Sequence, residues 1–160
     1  MRTVDFIAAH AGVDSKRVGV LGFSMGGFRA WQLAALSDKV AATAVISWFG
    51  TYNGLMQPGN NVLRGQSAFY MLHPGMPALM DIPDIASLAA PKPMLIFSGG
   101  KDKLFPPQAV AEAFEKVHRV WASQHADEKL VTKSWPELGH VFYQQQQDEV
   151  FPWLDRWLKP

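Results

Sequence analysis

The sequence predicts an α/β fold, a parallel sheet of about four strands flanked by helices, and three observations carry that expectation. Short apolar runs of strand-forming residues alternate with segments of helical periodicity; none of the junctions carries a hairpin signal; and a Gly-x-Ser-x-Gly pattern stands where one strand run passes into a helical one. Strands that alternate with helices and are not joined by hairpins form parallel βαβ units with right-handed crossovers.

Residues 3–11 place Val4, Ile7, Ala8 and Ala11 at helical spacing, and Gly12 is a natural stop. Residues 17–23 then form a short apolar run bounded by glycine, the pattern of a buried strand. From Met25 to Leu36 the period becomes helical, with Phe28, Trp31, Ala34 and Ala35 on one stripe. Residues 40–49 return to strand formers.

Residues 51–80 lose periodicity. Pro58, Pro74 and Pro77 stand among Phe69, Tyr70, Met71, Leu72 and Met76, which predicts an irregular apolar excursion of the kind that lies over a pocket. Asp84 to Ala89 is long enough for one helical turn, and Met94 to Ser98 reads as a third strand. Pro107 to Trp121 is the clearest helix, with Val110, Ala113, Phe114, Val117 and Trp121 at steps of three and four. Leu130 to Trp135 is the fourth strand. Asp148 is positioned to cap a last helix buried through Phe151, Leu154, Trp157 and Leu158, with Pro152 in its first turn. Short connections give no reason to divide residues 1–160 into more than one domain.

Composition removes several function classes. Apolar residues make up 48% of the chain and charged residues 18%, which is a globular balance rather than a disordered one. The net charge is +1 with scattered Lys and Arg, so there is no basic stripe for a nucleic acid. With no cysteine, neither a disulfide framework nor a thiolate metal site nor a cysteine nucleophile is available. No apolar run reaches the roughly 18–20 residues that cross a bilayer. The expectation is a soluble protein, cytoplasmic by default and secreted if a signal peptide precedes these residues.

Gly22-Phe23-Ser24-Met25-Gly26 carries the chemistry. A serine forced into a tight strand-to-helix turn projects its hydroxyl above the sheet, and glycine on both sides removes side chains that would collide there. A serine that merely caps a helix does not ask for those glycines. Ser24 needs a base to take its proton. His10, His118 and His125 belong to helices or their exposed ends, and His73 lies in the Pro-rich excursion with no orienting acid nearby; His140 follows the fourth strand on the C-terminal edge of the sheet. Asp102 follows the third strand on the same edge, where ligand sites of open α/β sheets collect. Glu137 and Asp127 are rival acids that read better as surface charges. Phe23, Trp48, Phe49, Tyr52 and Phe105 fall at strand ends and are candidate lining for a substrate pocket.

With GFSMGG, SGGKDKLFPP, ELGHVF and FPWLDRWL in the chain order Ser, Asp, His, the sequence resembles the α/β-hydrolase superfamily, in its dienelactone-hydrolase and acetyl-xylan-esterase branch. The resemblance implies a serine carboxylic ester hydrolase with Ser24 as nucleophile, His140 as base and then acid, Asp102 orienting His140, and the Met25 backbone N–H as an oxyanion donor. It implies an ester as substrate and neither metal nor organic cofactor. A dienelactone hydrolase proper uses a cysteine where Ser24 stands.

Four strands correspond to the second half of the family's sheet of about eight, so the expected fold is a truncated α/β-hydrolase. The loop after the family's third strand, which supplies a second oxyanion N–H, has no counterpart here. Loss of one such donor typically lowers turnover on the order of 100- to 1,000-fold. Strand 17–23 then becomes an apolar edge, which predicts a homodimer through that edge or a fragment of a longer chain. Two other functions fit the same motifs: a prolyl-oligopeptidase-type serine peptidase, and a non-catalytic remnant that binds or assembles.

Overall fold

A computed structural model describes residues 2–58 and 73–160. The elements run α1 (Arg2–Ala8), β1 (Val18–Phe23), α2 (Met25–Leu36), β2 (Val40–Ile46), α3 (Tyr52–Leu55), a 3-10 turn at Met76–Ala78, and α4 (Ile82–Ser87). Then come β3 (Met94–Gly99), α5 (Pro107–Ser123), a 3-10 turn at Asp127–Lys129, β4 (Leu130–Trp135) and α6 (Gln144–Leu158). The four strands form one parallel sheet in the order β1-β2-β3-β4. Spatial order equals chain order, so each crossover steps the same way across the sheet, and all four strands deliver their C-terminal ends to one edge.

Side-chain alternation divides the core. Val45, Met94 and Ile96 face a layer built from α2, α4 and α5, where Phe28, Trp31, Ala113, Val117 and Trp121 are buried. Ala44, Ile46, Leu95 and Phe97 face the other way, against Val150, Trp153 and Leu154 of α6. Both faces of β2 and β3 are covered, and that is why these strands read as unbroken apolar runs. Each large apolar side chain fully buried this way contributes roughly 1.5–3 kcal/mol. In β1, by contrast, Leu21 and Phe23 are each 38% exposed. Among the described residues β1 has a strand neighbour on one side only.

Three of the boundaries that differ from expectation do so for a local reason. β2 stops at Ile46 rather than Phe49, because Ser47 turns to φ 55 and leaves the strand. α4 starts at Ile82 instead of Asp84: the Asp81 carboxylate accepts from the Ile82 N–H (2.7 Å), and the Asp84 carboxylate accepts from the Asp81 N–H (2.8 Å). That is a reciprocal cap. α6 starts at Gln144, its first turn closed by the Gln146 carboxamide on the Tyr143 N–H (2.9 Å), so Asp148 lies inside the helix and does not cap it. Pro152 is therefore interior rather than first-turn, and it removes the helical donor that the Asp148 carbonyl would have used. The apolar stripe begins only at Val150, which is why periodicity placed the helix late.

The 51–80 excursion holds α3 and the Met76–Ala78 turn. Its apolar run Phe69 to Leu72 lies outside the described residues.

Candidate active site

β1 passes into α2 through Ser24 alone, at φ 55 and ψ −122. A non-glycine residue held there stores roughly 1–3 kcal/mol of strain. The Ser24 N–H continues the sheet by donating to the Ile46 carbonyl (2.8 Å), and the Ser24 carbonyl accepts the Phe28 N–H (3.1 Å) to start the helix. The hydroxyl makes no capping bond. Space explains Gly22: a Cβ there would lie 2.0 Å from the Gly26 carbonyl oxygen. The same reasoning does not extend to Gly26, whose added Cβ would meet nothing within 4 Å. The second steric demand falls on Gly27, whose added Cβ would lie 3.0 Å from the Ile46 carbonyl oxygen.

Asp102 and His140 sit on turns that continue the β3–β4 ladder. Beyond the last register pair, Gly99 with Trp135, the Gly100 N–H donates to the Trp135 carbonyl and the Lys101 N–H to the Leu138 carbonyl, both at 2.8 Å. The Asp102 side chain is almost wholly buried, and each of its oxygens has a partner: Oδ1 accepts the Leu104 N–H (2.9 Å) and Oδ2 meets His140 Nδ1 (2.7 Å). His140 Nε2 lies 2.7 Å from Ser24 Oγ. With a carboxylate at Nδ1, the network assigns the imidazole proton to that nitrogen and leaves Nε2 to accept from the serine hydroxyl. Phe23 and Phe105 both pack against the His140 ring, with centroids at 5.1 and 6.2 Å.

The relay thus joins the three residues the sequence singled out. His73 is instead 6.5 Å from the Phe28 ring and lines an apolar cavity of about 180 Å³ with Tyr52 and Met76. His118 is exposed and bonded to Thr132 Oγ1 (2.8 Å), while His10 and His125 are also exposed. Glu137 pairs with Lys101 across the two turns at the surface, where such a pair adds little stability. Asp127 is exposed on its 3-10 turn. Met25, at the first position of α2, is exposed next to Ser24.

Of the five candidate pocket residues, Phe23 and Phe105 touch the histidine and Trp48 stands one step behind, 5.3 Å from Phe105. Phe49 is fully buried against Phe114, and Tyr52 is buried with its N–H bonded to Asp81 Oδ1 (2.7 Å). Neither is brought to the relay. Two contacts around the relay lie beyond the sequence patterns: the Leu104 N–H on Asp102, and the Ser47 Oγ on the Val141 carbonyl (3.4 Å). The Leu104 N–H on Asp102 is an Asx turn, legible in principle as an Asp with its own backbone two residues on; Ser47 carried no signal. Among the described residues, no cluster of His, Asp or Glu suits a metal ion and no helix is long and apolar enough to cross a membrane.

The sequence model of the dienelactone hydrolase family matches residues 1–152. The chain belongs to the dienelactone hydrolase family. Two relatives of this family member are each 29% identical to it. YtaP of Bacillus subtilis (strain 168), a hydrolase by name, aligns over 99% of this chain and 52% of its own length. A Yersinia pestis protein named as a carboxymethylenebutenolidase aligns over 88% and 42%. The chain therefore spans about half the length of these relatives. Among solved structures, a carbohydrate esterase family 15 glucuronoyl esterase from Caldicellulosiruptor kristjansonii superposes with a TM-score of 0.79 at 16% identity, over 99% of this chain and 48% of that one. At that identity the likeness shows the shared α/β-hydrolase fold.

Proposed function

We propose that this chain is a serine carboxylic ester hydrolase working through an acyl-enzyme. The observation that carries the reading is the Ser24–His140–Asp102 relay, two contacts of 2.7 Å built from three separate strand ends. His140 takes the Ser24 proton as Oγ attacks the ester carbonyl carbon, and Asp102 steadies the imidazolium that results. The Met25 N–H, at the open N-terminus of α2, donates to the oxyanion. Collapse of the tetrahedral intermediate releases the alcohol, which receives the proton from His140. Water then repeats the sequence on the acyl group, giving the acid and free Ser24.

Membership of a hydrolase family and esterase-like folds among solved structures support the same reading. Hydrolysis of a short p-nitrophenyl ester, together with labelling by a fluorophosphonate, tests it: both are expected in the wild type and both should vanish in Ser24→Ala. Retention of either in the variant overturns the assignment. An intact fold with no turnover and no label in the wild type favours an assembly role instead.

We also propose that the edge of β1 that has no strand neighbour among the described residues pairs with a second copy of the chain. Leu21 and Phe23 are exposed there, and no Lys or Pro within Val18–Phe23 guards the edge. A strictly monomeric species in sedimentation would count against this pairing.

A further inference from the structure

We infer that Ser47 is a positioning residue that holds His140 in register with Ser24; the inference rests on the hydrolase reading above. Phe23 pairs with Ile46 across β1 and β2, so Ser24 and Ser47 are the next residues of the two strands. Each ends its strand, and each has φ 55. The strain at Ser24 belongs to the turn into α2. Ser47 makes no such turn, since α3 begins only at Tyr52.

Glycine takes this backbone conformation at no steric cost, so a serine here needs another reason. The residue is 1% exposed, its N–H is already committed to the Phe97 carbonyl (2.8 Å), and its Oγ donates to the Val141 carbonyl (3.4 Å). That carbonyl belongs to the residue directly after His140. His140 itself is the middle of a tight turn closed by the Val141 N–H on the Gly139 carbonyl (3.1 Å).

The turn is consequently pinned at both ends by the elements it must serve. On its N-terminal side the Leu138 carbonyl accepts from Lys101, in the turn that carries Asp102. On its C-terminal side the Val141 carbonyl accepts from Ser47, beside the nucleophile. One bond sets the histidine against its acid and the other against its serine. Strain retained at a buried position next to a reacting group is the pattern from which such a role is inferred.

The test compares Ser47→Gly, which relieves the backbone and removes the hydroxyl, with Ser47→Ala, which removes the hydroxyl alone. Two readouts are taken below the melting temperature of each variant: kcat and KM on a p-nitrophenyl ester, and the downfield proton resonance of His140 Nδ1. If the hydroxyl positions His140, both variants lose about three- to tenfold in kcat, the worth of one neutral hydrogen bond, with KM unchanged. The resonance broadens in both. Wild-type kcat and a sharp resonance in Ser47→Gly overturn the inference, whatever happens to the stability of Ser47→Ala. Should the wild type not hydrolyse the ester, the hydrolase reading falls while the resonance still decides whether Ser47 governs His140.

Discussion

A Cβ built on Gly99 would stand 2.2 Å from the Gly139 carbonyl oxygen, so the turn bearing Asp102 and the turn bearing His140 meet backbone to backbone. Gly99→Ala must push them apart. Overpacking of this kind costs about 1–3 kcal/mol, and here it also separates an acid from its histidine. A lower denaturation midpoint and a lower kcat are expected together. An unchanged midpoint would refute the close approach.

Asp102→Asn keeps the shape of the side chain and loses its charge. The amide can donate to Nδ1, which moves the imidazole proton to Nε2 and leaves nothing to accept from Ser24. A fall in kcat on the order of 10,000-fold is expected in steady-state ester hydrolysis. A fall of less than about tenfold would mean that another group orients His140.

The two rings beside His140 should separate stability from turnover. Phe23 is 38% exposed and Phe105 only 1%. Phe105→Ala should destabilise the fold by about 3–5 kcal/mol through the cavity it leaves. Phe23→Ala should leave the melting temperature nearly unchanged and lower kcat by up to about tenfold, the worth of one aromatic contact. Calorimetry alongside kinetics checks both.

Acid should weaken the fold through Asp84. Burial alone would raise this carboxyl, but the Lys116 ammonium at 2.7 Å and the Asp81 N–H outweigh it and hold it below its ordinary value of 3.8. A depressed carboxyl contributes stability that is complete above its unfolded-state pKa and is lost as pH falls through the folded one. Asp84→Asn should therefore be less stable than wild type at pH 7, with the gap closing below pH ~4. A gap that persists into acid would assign the effect to the cap geometry alone.

If β1 pairs with a second copy, Leu21→Lys should dissociate it. A charge on an exposed edge position opposes strand pairing while leaving the core intact. Sedimentation should shift toward the monomer with the circular dichroism spectrum unchanged. An unchanged sedimentation coefficient would place any association elsewhere.

The strands, the main helices and all three relay residues were legible because each rests on a short-range pattern. Val40 to Ile46 and Met94 to Ser98 are buried on both faces, so unbroken apolar runs named them directly. Ser24, Asp102 and His140 could be read from strand ends because a parallel sheet gathers those ends on one edge. What escaped reading depends on through-space fit. Phe49, Tyr52 and Phe105 all lie in the segments that follow strands β2 and β3, yet nothing local says which aromatic turns toward the histidine. Gly26 and Gly27 look alike in sequence, and only the close approach of the Ile46 and Gly22 carbonyls and of Trp48 to Gly27 distinguishes them. Ser47 is a serine in a strand run until its φ is known.

The relay closes over long stretches of chain: Ser24 and His140 are 116 residues apart, and Asp102 and His140 are 38 apart. The β3-α5-β4 unit with its flanking turns already holds Asp102 and His140, but Ser24 meets them only once β1 has joined the sheet, and contacts of such separation form only after loop-closure entropy has been overcome. Recovery of esterase activity during refolding should thus trail the return of helical signal and coincide with completion of the β1-to-β4 sheet. If the chain hydrolyses esters as proposed, turnover doubles as a clock for the last event of folding.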